Sequence, residues 1–150
     1  MRVVIQRVSE ASVSVNNDII SSIGIGLLIL VGIEESDNEE DSSWLANKIS
    51  ALRIFSDEKG VMNRSVVDLN AEIIVISQFT LHAKTKKGNR PSYIKAAKSK
   101  IAVPIYKQFI NDLFIATGKN IQSGSFGDNM QIAMINDGPV TIIIDSKNKE

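Results

Sequence analysis

Cysteine is absent from this chain of 150 residues, and histidine occurs once, at His82. Without thiols there is no disulfide, no thiolate zinc site and no cysteine nucleophile, and the composition suits a reducing compartment. A single imidazole leaves almost no scope for a histidine-built metal cluster or a Ser-His-Asp relay. Gly24-Ile25-Gly26 lacks the third glycine of a dinucleotide fingerprint and falls between expected strands. No metal and no cofactor is expected. Long apolar runs are missing too. The longest, Ile23 to Ile33, is about half of what a bilayer crossing needs, and glycines interrupt it. The opening Met1-Arg2-Val3-Val4-Ile5-Gln6-Arg7 has neither the apolar stretch nor the cleavage site of a signal peptide. The expected location is the cytosol, without membrane contact.

What is present is an ordinary globular composition, 43% hydrophobic and 23% charged, in a length typical of one domain. No repeat or linker divides it, so a single domain over 1–150 is expected. Net charge is zero but uneven: Glu34 to Asp41 holds six acids, and Lys84 to Lys100 holds seven bases and no acid. A neutral chain with one basic face permits a polyanionic partner without requiring one.

Arg2 to Val8 and Ala11 to Val15 alternate as strands, followed by the turn cluster Asn16-Asn17-Asp18. Ile25 to Ile33 is nearly all apolar and reads as a strand covered on both faces. Ser36-Asp37-Asn38-Glu39 reads as the start of a helix, with Leu45, Ile49 and Leu52 keeping one face apolar as far as Ile54. Glu72 to Thr80 is the strongest central strand. Ile101 to Thr117 fits an amphipathic helix, with Pro104 tolerable only near its first turn and Gly118 as its stop. Met130 to Ile135 and Val140 to Ile144 read as strands flanking the turn Asn136-Asp137-Gly138-Pro139. The sum is an α/β fold in which a long mixed or antiparallel β-sheet packs under two main helices. The final Lys147-Asn148-Lys149-Glu150 reads as a frayed tail.

Chemistry is most concentrated where the central strand ends, at Ser77-Gln78-Phe79-Thr80-Leu81. Hydroxyl, amide and aromatic groups at the opening of a sheet can position and polarise a carbonyl. They can equally do no more than satisfy backbone groups at a strand end. In Asp137-Gly138-Pro139 the proline removes a ladder donor, and an X-Pro bond in a tight turn is where a cis peptide is affordable. Such a turn can aim two carbonyls at an ammonium group, or be a plain turn. The basic run Lys84 to Pro91 follows the strand-end motif directly, and reads either as a solvated face or as a phosphate contact. His82 has no visible orienting partner and is read as a surface or packing residue. Glu34/Glu35 and Asp57/Glu58 read as loop and helix-start charges.

Taken together, Ser77-Gln78-Phe79-Thr80-Leu81 and Asn136-Asp137-Gly138-Pro139-Val140-Thr141 resemble the two signature motifs of the D-aminoacyl-tRNA deacylase family. Met1 to Val8 with Ala11-Ser12-Val13, Leu52 to Phe55, Met62-Asn63 and Lys87 to Ser92 extend the likeness along the chain. The resemblance implies a homodimer acting on tRNA, in which Gly138 and Pro139, joined by a cis bond, reach Ser77, Gln78, Phe79 and Thr80 of the partner. Their carbonyls would hold the α-amino group, so that a D-substituent points outward and an L-substituent collides with the turn. Glycine, lacking a side chain, would not be cleanly excluded. Arg7 would brace the turn, and Met130 would line the adenosine end of the pocket. N–H groups around Phe79 and Thr80 would polarise the ester carbonyl. Thr80 stands either as nucleophile or as positioning group. The family picture favours the second, with water attacking beside the terminal ribose hydroxyl. Three positions depart from the family pattern: His82 where Tyr is common, Asp128-Asn129 for Ala and a polar residue, and Ser125 where a charge is usual. Rival expectations are a non-catalytic RNA-binding module on the basic run, and a generic esterase with Thr80 as nucleophile.

Overall fold

The computed structural model describes residues 1–150. One long strand, β1 (Arg2–Val15), organises the sheet by pairing with three others. Its first half lies antiparallel to β3 (Gly26–Gly32), from Arg2 opposite Gly32 to Val8 opposite Gly26. Its second half pairs with β2 (Asp18–Ile23) through a tight turn in which Asn16 and Asn17 both have positive φ. Turns of that hand match the twist of the flanking strands. Along its whole other edge β1 pairs with β8 (Gln131–Asp145). Beyond β3 the sheet continues in parallel through β6 (Glu72–Ser77) to β7 (Gln122–Ser123). Ser21 of β2 donates to Ser123 O of β7 at 3.0 Å, so the two ends of the sheet nearly close.

That curvature separates two cores. Leu27, Ile29, Val31, Ile73 and Val75 face α1 (Glu39–Ala51) and α2 (Ser99–Thr117), where Leu45, Ile49, Phe109 and Leu113 cover them. Leu28, Ile74 and Ile76 point to the other side, with Val8, Ala11, Val13 and Ile23. β3 and β6 are therefore buried on both faces, which is why both are nearly all apolar. Ser42 of α1 donates to Asp112 of α2 at 2.6 Å, pinning the helices together. A short hairpin of β4 (Phe55–Ser56) and β5 (Met62–Arg64) stands apart from the main sheet.

Several boundaries differ from the sequence expectation, each for a physical reason. Helix α1 starts after Asn38, whose side chain accepts from Glu40 N and Asp41 N while Asp41 reaches back to Asn38 N. Asp37 is diverted to the Met1 amine at 2.5 Å and to Glu34 N at 2.8 Å. The helix ends at Ala51, because Arg53 donates to Asn63 O and Ile54 O accepts from Arg7. Helix α2 begins two residues early, at Ser99, so Pro104 lies in its second turn, and Gly118 closes it at φ 66°. β1 and β8 each run unbroken where pairs of strands were expected. The tail is not frayed through Lys147, which donates to Asp41 at 2.6 Å, and Lys149 lies 4.4 Å from the Trp44 ring centre.

Candidate active site

β6 ends at Ser77, short of the expected Thr80. Gln78 N donates to Val31 O at 2.7 Å, and the chain then tightens into a single 3-10 turn over Phe79–His82. The first N–H groups of a helix have no intrahelical acceptor, and here those belong to Phe79 and Thr80. Gln78 Nε2 donates to Thr80 Oγ1 at 2.5 Å, fixing both side chains. Phe79 stays 56% exposed, edge-on to Tyr93 with ring centres 5.0 Å apart.

Beside this turn opens a cavity of about 300 Å³, lined by Ser77, Gln78, Phe79, Phe126, Met130 and Ile132 among others. Its walls are mostly apolar with a few polar groups at the strand end, the usual make-up of a small-molecule site. Phe126 is held from behind by Tyr106, with ring centres 5.4 Å apart, and the Tyr106 hydroxyl donates to Val75 O at 2.8 Å. Burial pushes the Tyr106 hydroxyl pKa well above its ordinary value. Asp128 accepts from Ser125, so the carboxylate at the cavity mouth closes its own loop.

Glycines make the close packing possible. A Cβ at Gly32 would stand 2.9 Å from Leu81 Cβ and 3.0 Å from Gln78 O, so only glycine lets the 3-10 turn lie against β3. A Cβ at Gly124 would stand 2.5 Å from Met130 Sδ. Neither role was visible in the sequence, because each depends on a neighbour distant along the chain. His82 is buried, and a Cβ at Gly32 would come within 3.0 Å of its ring, so it is a packing residue and not a surface one.

The second motif lies in the middle of β8. Gln6 pairs with Thr141 and Val8 with Asn136, so Asp137 to Val140 bulge out opposite Arg7 alone. The Gly138-Pro139 bond is cis, and Gly138 has φ 116°. Arg7 Nη1 donates to Ile54 O at 2.6 Å, and Arg7 Nε approaches Asp137 Oδ2 at 2.9 Å. The second contact is an ion pair without hydrogen-bond alignment, since Nε–H finds no acceptor. A Cβ on Gly138 would come within 2.9 Å of Arg7 Nη2. The Asn136 amide nitrogen, turned toward Arg7 O at 2.9 Å and Val140 O at 3.3 Å, closes the base of the bulge.

The candidate residues thus fall into two sets. Ser77, Gln78, Phe79 and Met130 line one cavity, with Thr80 held beside it by Gln78. Arg7, Gly138 and Pro139 form a separate cluster, and neither Gly138 nor Pro139 lines that cavity. Sequence reading did not find Asp137 and Ile54 O as the groups that hold Arg7, nor Phe126 as a cavity wall. No three His, Cys, Asp or Glu side chains gather as metal ligands, and no helix is long and apolar enough to cross a membrane.

Comparison with known proteins places the chain. The family model described as D-Tyr-tRNA(Tyr) deacylase matches residues 4–145. Proteins named D-aminoacyl-tRNA deacylase from Flavobacterium psychrophilum and Bacteroides thetaiotaomicron are each 63% identical over 150 residues, covering all of both chains. A solved structure titled c-Myc DNA Unwinding Element Binding Protein superposes with TM-score 0.91 at 39% identity, over 97% of this chain and 98% of that one. A match over nearly the whole length, with both motifs inside it, means that the chain belongs to the D-Tyr-tRNA(Tyr) deacylase family.

Proposed function

We propose that this protein hydrolyses the ester bond of D-aminoacyl-tRNA, releasing the D-amino acid and tRNA, and so proofreads chirality during translation in the cytosol. The observation that carries this reading is full-length agreement with relatives named D-aminoacyl-tRNA deacylase. The geometry supports a mechanism without an activated nucleophile. The only side chain bonded to Thr80 Oγ1 is the Gln78 amide, which cannot take up a proton. Thr80 is therefore a positioning group, and water attacks. The N–H groups of Phe79 and Thr80 stabilise the developing oxyanion, and Met130 lines the adenosine end. An aminoacyl ester is already reactive, so orientation and oxyanion stabilisation suffice.

The site is completed by a second copy of the chain. The outer edge of β8 has no strand beside it, and Ile132, Met134, Ile135 and Ile143 stand exposed along that strand. A long, apolar, unpaired edge is a surface that proteins cover. Pairing two copies brings the Gly138-Pro139 turn of one to Ser77, Gln78 and Phe79 of the other. The turn's carbonyls then hold the α-amino group, Arg7 keeps the turn in place, and an L-substituent collides with it. Glycyl-tRNA, with no side chain to collide, passes this filter.

The test is deacylation of D-Tyr-tRNA and L-Tyr-tRNA side by side, without added metal. Fast release from the D-ester with the L-ester spared is expected. Equal cleavage of both would discard the selection by the turn. A second reading, nucleic-acid binding without hydrolysis, draws on the neighbour titled c-Myc DNA Unwinding Element Binding Protein and on the basic run. It takes first place if neither ester is cleaved while tRNA still binds.

A further inference from the structure

The 3-10 turn that carries Phe79 leads straight into the most basic stretch of the chain. All seven Lys and Arg residues between 84 and 100 are exposed. None joins an ion pair, although the whole chain is neutral. The stretch has a defined shape. Lys84 N donates to Ser92 O at 2.8 Å and Ser92 N to Lys84 O at 3.0 Å, closing a loop that bears Lys86, Lys87 and Arg90. Immediately after this closure comes Tyr93, which stands edge-on to Phe79 at 80° and remains 40% exposed. Phe79 itself lines the cavity. Leaving the cavity, one meets an aromatic ring, a second aromatic ring, and then unpaired cations.

That order matches one kind of ligand. Single-stranded nucleic acid is held by aromatic faces on which bases stack, beside cations that follow the phosphates. A duplex hides its base faces and would leave the Phe79–Tyr93 pair unused. We propose that Tyr93 and the Lys84–Ser92 loop bind the single-stranded RNA leading up to the aminoacylated terminal nucleotide. A base stacks on Tyr93, and Lys86, Lys87 and Arg90 take the adjoining phosphates. This inference rests on the aminoacyl-tRNA reading above and adds to it the part of the RNA that is recognised.

The test compares two substrates: D-tyrosyl-tRNA, and the D-tyrosyl ester of adenosine, which carries the terminal nucleoside alone. Tyr93→Ser should raise KM for D-tyrosyl-tRNA about tenfold, with kcat within about twofold, and Tyr93→Trp should restore it. Lys86→Gln combined with Lys87→Gln should flatten the logarithmic salt dependence of KM by about 1.4, at about 0.7 for each cation lost. Both defects should vanish on the adenosine ester. Equal defects on both substrates, or none on D-tyrosyl-tRNA, would overturn the proposal; the latter is the outcome expected if the surface served a protein partner. If the wild type cleaves neither ester, the hydrolase reading has failed instead. Filter binding of uncharged tRNA, with and without its single-stranded 3′ end, then tests the strand site alone. Weaker binding of the trimmed RNA supports it, and equal binding overturns it.

Discussion

β6 and β8 each carry one motif of the candidate site, and they differ in how much of their position the chain itself secures. In β6, Ile73 to Ile76 are at most 1% exposed, and strands pair along both of its edges. Ser77 and Gln78 therefore leave the sheet from a fixed point, and Gly32 lets the following turn pack directly on β3. β8 has a ladder on one edge only, and its side chains are mostly exposed. Arg7 and Asn136 set the shape of the Gly138-Pro139 bulge, yet nothing in the single chain sets its distance from a substrate. A dry, doubly paired strand can position a catalytic group unaided. A bulge on an open edge can do so only when something packs over it.

The most severe way to break this contrast is at the edge. Ile143 is 69% exposed, so Ile143→Lys should cost the isolated chain less than about 0.5 kcal/mol. If two copies pair along this edge, it should nevertheless give a monomer and lower D-Tyr-tRNA deacylation on the order of 1000-fold or more, because the lysine would be buried there without a partner. Light scattering beside activity reads the outcome, and a fully active monomer would end the two-copy account. Next is Gly138→Ala, which places a Cβ at φ 116° and within 2.9 Å of Arg7 Nη2. Displacing the turn by about 1 Å should cost on the order of 100-fold in kcat/KM for the D-ester and erode the preference over the L-ester.

On the β6 side, Gly32→Ala should act on stability first. The new methyl meets Leu81 and Gln78, and overpacking of this kind costs about 1–3 kcal/mol in a urea titration. Thr80→Val should be milder, lowering kcat about fivefold through one lost hydrogen bond of about 1 kcal/mol. Abolished turnover would instead restore Thr80 as nucleophile. The smallest effect concerns neither motif. Burial is the largest single influence on the Asp41 carboxyl and works to raise its pKa, but the bonds from Lys147, Ser146 and Asn38 N together with the Met1 amine outweigh it and hold the pKa below 3.8. A depressed carboxyl contributes stability above its unfolded pKa and loses it as pH falls through the folded one. Lys147→Gln should therefore lower the urea-derived stability at neutral pH by about 0.2–1 kcal/mol, with the difference closing as pH drops below 3.8.

Much of this arrangement was legible one residue at a time. The apolar run of β3 announced a strand covered on both faces, that of β6 announced a central strand, and Gly118 was marked as the end of α2, where it takes a positive φ. Of the two motifs, the first borders the cavity and the second forms a bulge outside it. What escaped were features decided by distant partners. Ser36 to Glu39 marked the helix start without fixing the cap, which falls to Asn38 while the Met1 amine and Glu34 N take the Asp37 carboxylate. Leu52 to Ile54 kept helical spacing, but Ile54 O accepts from Arg7 and the Arg53 guanidinium donates to Asn63 O of the β4–β5 hairpin. Lys147 was read as tail because the Asp41 it meets lies 106 residues earlier.

The sequence by itself determined which groups are available and the period with which they face inward, since both are properties of neighbouring residues. That was enough for the α/β class, the doubly buried strand β3, the central strand β6 and the identity of the two motifs. Only the tertiary structure decided which groups share a space. The near-closure of the sheet brings β7 and the Phe126–Met130 loop against the end of β6 and forms the cavity. The pairing of β8 along β1 puts Arg7 under the Gly138-Pro139 bulge and leaves that bulge outside the cavity. Through-space distance is set by how strands close around a core, and no pattern of neighbours along a chain encodes it directly.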